Sequence, residues 1–63
     1  MLLVKRLRIV REARQSIEAA MASGLSAEDA GEAMLADMRD KYAGDKDWLT
    51  ILEIILKLLA LFL

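Results

Sequence analysis

The last sixteen residues, Trp48 to Leu63, are too apolar for a chain of this length to cover by itself. On a helix turning about 100° per residue, Thr50, Glu53 and Lys57 fall within about 60° of one another. Every other position in the segment except Ala60 carries a large apolar side chain. A helix apolar around roughly three quarters of its girth needs neighbours on several sides: sister subunits, another protein, or lipid. The segment constrains how the chain associates and points to no particular reaction.

Sixty-three residues suffice for one small domain, in the size range where a single core leaves stability marginal without a staple or association. There is no cysteine and no histidine, so disulfides are excluded and a zinc site would have to be built from carboxylates alone. Association is the remaining route to stability. We expect a homo-oligomer or a larger protein assembly, and no cofactor.

Charge is unevenly distributed. Residues 1–23 carry five bases against two acids, residues 24–47 carry seven acids against three bases, and the final sixteen are neutral. A basic end followed by an acidic middle favours contacts between copies of the chain or between its own helices, and it also suits a basic end resting on anionic lipid. Basic residues interrupt the apolar positions of the N-terminal stretch, which is not the order of a secretory signal, so we expect no cleaved targeting segment.

With no proline, punctuation falls to glycine. Gly24 and Gly44 sit where helix C-terminal caps are expected, which divides the chain into three helices over about 2–22, 27–43 and 48–62. In the first, Leu2, Leu3, Ile9, Val10, Ala13, Ile17, Ala20 and Met21 share one arc. Arg6 projects from the middle of that arc, so it must either snorkel to the bundle end or meet a buried acid. The second helix opens with Ser26 as N-cap and Asp29 three residues on, and it presents Ala27, Ala30, Gly31, Met34, Leu35, Met38 and Tyr42 on one face. Asp47 is the expected N-cap of the third. Short connections predict an all-α fold with successive helices antiparallel: an amphipathic hairpin over 1–46 followed by an association helix over 47–63, in one domain.

The candidate association interface comprises Trp48, Leu49, Ile51, Leu52, Ile54 and Ile55, continuing through Leu56, Leu58, Leu59, Leu61, Phe62 and Leu63. Its setting is open between protein and membrane. Sixteen helical residues cover about 24 Å against a hydrocarbon core near 30 Å. The insertion gain of the leucines, isoleucines and phenylalanine is nearly offset by about 3 kcal/mol for Lys57 and a similar cost for Glu53. In an oligomer the polar stripe could face inward around a pore. In a soluble assembly it would face water, with the apolar face covered by the first two helices and a second subunit. Trp48 would then cap the core rather than anchor at headgroup depth.

Catalytic chemistry is poorly supplied. Without histidine or cysteine, Ser16, Ser23 and Ser26 have no base at recognisable spacing. Glu28 with Glu32 and Asp37 with Asp40 read as a solvated acidic face rather than a cation site. Lys5, Arg8, Arg11 and Arg14, spaced by three, spread over half the helix circumference as a diffuse basic surface; with no interleaved aromatics, nucleic acid is not the expected partner. Arg6, Glu53 and Lys57 form a candidate buried ionic link between the first and third helices. Met21, Met34 and Met38 either fill core gaps or offer a tolerant binding face. The expectation is a non-enzymatic structural or assembly protein, such as a minor component of a virus or phage particle or of a membrane-linked assembly, with no small-molecule substrate. The alternatives are a soluble adaptor or inhibitor acting through a Met/Leu face, and a small pore.

Overall fold

A computed structural model describes residues 1–62, so the candidate interface residue Leu63 lies outside the described residues. Three helices account for the architecture: α1 (Leu3–Ala22), α2 (Ala27–Tyr42) and α3 (Trp48–Phe62). The fold is all-α, with helix bounds close to those expected from the sequence.

Local chemistry sets each boundary. At the end of α1, the Leu25 N–H donates to the Ala20 carbonyl at 3.1 Å and the Gly24 N–H to the Met21 carbonyl at 3.0 Å. This is a Schellman closure, and Gly24 takes the left-handed conformation it requires, with φ 105°. At the start of α2, the Ser26 hydroxyl accepts from the Asp29 N–H at 3.1 Å, as the capping pattern predicts. The end of α2 departs from expectation. Gly44 follows the cap residue Ala43, yet among the described residues only Gly24 has positive φ. The turn instead closes through Asp45 N–H to the Tyr42 carbonyl at 2.9 Å and Trp48 N–H to the Asp45 carbonyl at 3.0 Å. Tight turns of this kind need no left-handed residue.

The helices run up, down and up. Lys5 in the first turn of α1 touches Asp45 and Asp47 just before α3, so α1 and α3 start at the same end of the bundle. Gly31 near the start of α2 lies against Leu59 near the end of α3; a Cβ at position 31 would sit 2.6 Å from Leu59 Cδ2. The missing side chain lets α3 approach α2 closely at that end.

Each helix contributes one short row to the core: Ile9, Ala13 and Ile17 from α1; Ala30, Met34 and Met38 from α2; Ile51, Ile55 and Leu58 from α3. Within a row the spacing is three or four residues, which keeps the side chains on one helical face. Met34 and Met38 are fully buried and fill the core, the first of the two roles expected for the methionines, while Met21 is exposed. Of the candidate interface residues, Ile51, Ile55 and Leu58 are buried in this chain's own core.

The division of α3 makes a direct prediction. Replacing Ile55 with Ala removes fully buried volume and lowers stability by about 2–5 kcal/mol. Replacing Leu49 with Ala in dilute protein changes stability by no more than about 0.5 kcal/mol. Urea unfolding followed by circular dichroism measures both, and equal costs at the two positions would contradict this assignment of the inner face.

Candidate association surface

Three faces of α3 are distinct. The inner face fills the core, Trp48 and Phe62 pack partly buried against it, and the polar stripe of Thr50, Glu53 and Lys57 points away from it. Glu53 and Lys57 pair with each other at 3.1 Å, one helical turn apart, with both side chains mostly in solvent. Exposed pairs of this kind stabilise by a few tenths of a kcal/mol at most.

Leucines crowd one flank of that stripe. Leu49 is 79% exposed and Leu56 50%, while Leu52 and Leu59 between them are half-buried. Their spacing of three, four and three residues is a heptad seam, and on the helix the four lie within about 80° of arc. They form a continuous leucine ridge beside α2. The other flank carries Leu61, 83% exposed, next to the partly buried Ile54. Isolated surface leucines are ordinary, but a ridge in heptad register is the form that knobs-into-holes packing uses.

Between α1 and α3 the surface opens into a groove of about 450 Å³, with Val10, Ile54, Leu58 and Leu61 on its walls and Arg6, Arg14, Glu53 and Lys57 at its rim. All three residues of the candidate ionic link therefore meet at one groove. No buried link forms within the chain, because Arg6 is exposed, Glu53 pairs with Lys57, and no charged side chain among the described residues is buried. The long stem of Arg6 lets it leave the apolar arc for water, which costs far less than enclosing a guanidinium.

The basic surface separates into two parts. Arg8, Arg11 and Arg14 are exposed, as expected. Lys5 is not part of a diffuse stripe: its ammonium donates to both carboxylate oxygens of Asp45, at 2.9 and 2.8 Å, and to Asp47 at 3.1 Å. Asp47 holds the N-cap position of α3, with its carbonyl accepting from the Ile51 N–H at 2.9 Å, but its carboxylate is spent on Lys5. Asp45 in turn accepts from the Asp47 N–H at 2.8 Å. A second tie joins α1 to α2, where the Tyr42 hydroxyl donates to Glu12 at 2.7 Å and Lys41 approaches the same oxygen at 3.3 Å. Burial, reinforced by the Glu12 carboxylate, pushes the Tyr42 phenol above its ordinary value and keeps it a donor. Reading α1 by its apolar arc missed both ties. The signal was the flank holding Lys5 and Glu12, which faces the other helices' polar ends.

Among the described residues, no group of three or more acidic or other ligating side chains is placed to hold a metal ion. No helix there is long and apolar enough to cross a membrane. The polar stripe of α3 points away from the chain's own core because the isoleucine row points into it.

The Lys5 tie has a pH signature. Hydrogen bonds from Lys5 and from the Asp47 backbone hold the Asp45 carboxyl below its ordinary value. A depressed folded-state pKa contributes stability that is present above the unfolded value and is lost as pH falls through the folded one. The melting temperature should fall on acidification below about pH 4. Asp45→Asn, which keeps an acceptor for the Asp47 N–H, should melt lower at neutral pH and show less of that acid dependence; an unchanged acid profile would contradict the tie. No protein-family model matches the chain, and no curated protein or solved structure matches it either.

Proposed function

We propose that this chain is a non-enzymatic assembly protein that binds further copies of itself through the outer leucine ridge of α3. The observation that carries the reading is that Leu49 and Leu56 stand in solvent on a helix whose inner face already completes a core. The ridge is also self-complementary. In an antiparallel pairing centred midway between Leu52 and Leu56, Leu49 lies opposite the partner's Leu59 and Leu52 opposite the partner's Leu56, and Glu53 lies within two positions of the partner's Lys57. Burying a leucine contributes about 1.5–3 kcal/mol relative to leaving it exposed, which gives such a contact a driving force. In that role the chain is a small structural piece of a larger particle or membrane-linked assembly.

Removing α3 altogether would be a poor test, because Ile51, Ile55 and Leu58 would leave the core with it. Leu56→Lys changes only the outer face. Light scattering should give an oligomeric mass for the natural chain and a monomeric mass for the substituted one, with unchanged helical circular dichroism. A natural chain that is monomeric at high concentration, or a Leu56→Lys chain that retains the natural mass, would overturn the proposal.

A further inference from the structure

A second surface, on a different helix from the leucine ridge, joins apolar and basic side chains on the outer face of α1. Leu3 and Val4 are each 68% exposed and Leu7 is 60% exposed, although α1 has its own buried row. Directly after them along the helix come Arg8, Arg11 and Arg14, all exposed. Val4, Leu7, Arg8 and Arg11 line a shallow cleft of about 280 Å³. Among the described residues the ion pairs are all made by lysines, so these guanidinium groups have no internal carboxylate partner. Of the acids on α1, Glu12 is held by Tyr42 and Lys41, which leaves Glu18 as the one near the patch.

We infer that this face of α1 docks on an anionic lipid surface, with Leu3, Val4 and Leu7 entering the acyl boundary and Arg8, Arg11 and Arg14 meeting headgroup phosphates. On this face the apolar residues precede the bases, while Arg6 turns aside to the α1–α3 groove. With α1 lying on the surface and its N-terminal end tilted inward, Leu3 to Leu7, about 6 Å along the helix, sits deeper than Arg8 to Arg14, about 9 Å, as an interface passing from apolar to charged requires. An acidic protein surface would satisfy only half of the patch. The outer face of α2 in a second copy offers Asp29, Glu32 and Asp40, but its exposed apolar positions include only Ala33 and Ala36. Nucleic acid likewise offers phosphates without an apolar layer beneath them. The exposed acids Asp29, Glu32 and Asp40 stand on α2 rather than on this face, so an anionic surface would favour the molecule with α1 down. Docking of this kind lies on the membrane and needs no spanning helix.

Vesicle flotation tests the inference. The natural chain should float with phosphatidylcholine vesicles that contain about one phosphatidylserine in four, and not with phosphatidylcholine alone. Leu7→Glu, and separately Arg11→Glu with Arg14→Glu, should each lower partitioning by roughly tenfold or more, because the first removes the apolar anchor and the second the phosphate contacts, and each adds negative charge. Circular dichroism checks that each substituted chain remains helical. Equal flotation with neutral vesicles, full retention by Leu7→Glu, or no flotation with either vesicle would overturn the proposal. Loss of oligomer mass on reversing Arg11 and Arg14 without lipid would assign the face to a second copy instead.

Discussion

Burial of Ile51 and Ile55 against α1 and α2 is the interaction on which the rest of the structure depends. These two side chains turn a helix that is apolar on most sides into one with a defined inside. Once they face inward, the Glu53–Lys57 pair must face water and Leu49 and Leu56 must flank it, because all are fixed to one helical frame. The outer leucines are thus a geometric consequence of core formation on a helix with more apolar surface than one small bundle can cover. That excess is the surface that the proposed association would cover.

Two polar ties set the register of this packing. Lys5 holds the turn before α3 through Asp45 and Asp47, and Glu12 holds the end of α2 through Tyr42. Both lie at the bundle end where the second connection passes, so they fix where α3 begins relative to α1. Gly31 acts at the other end, where it admits Leu59. A small core gains stability mainly from its apolar rows; the ties and the glycine decide which of several similar faces of α3 those rows receive. This division suits a chain in which apolar residues outnumber the positions available to bury them.

Much of the fold was legible in the sequence because its boundaries rest on local chemistry. Ser26 and Asp29 mark a helix start by a contact three residues long, and Gly24 marks a stop by its backbone conformation alone. The inner face of α2 was legible too, and so was the middle of that of α1, where Ile9, Ala13 and Ile17 are buried; Leu2, Leu3 and Met21 of the expected arc are exposed, because the ends of α1 reach past its neighbours. The inner face of α3 was not legible. With large apolar residues around most of its girth, periodicity fits several orientations equally, and the choice falls to tertiary contacts such as the Lys5 tie and the Gly31 gap. The role of Lys5 was hidden for a related reason: its partners lie forty and forty-two positions away, in a connection whose path depends on the tertiary fold. Gly44 shows the reverse error, where a cap residue was present in the right place but the turn closed without using it.

The most direct test of this account is the solvent accessibility of individual side chains as a function of concentration. It can be read from the relaxation of isoleucine and leucine methyl resonances by a soluble paramagnetic agent. The account predicts that the Ile51 and Ile55 methyls remain shielded at every dilution, while those of Leu49 and Leu56 are exposed in dilute solution and become shielded as the chain associates. Exposure of Ile51 and Ile55 on dilution would show that the core belongs to the assembly rather than to the chain. Persistent exposure of Leu49 and Leu56 at high concentration would show that the outer ridge is not where copies meet.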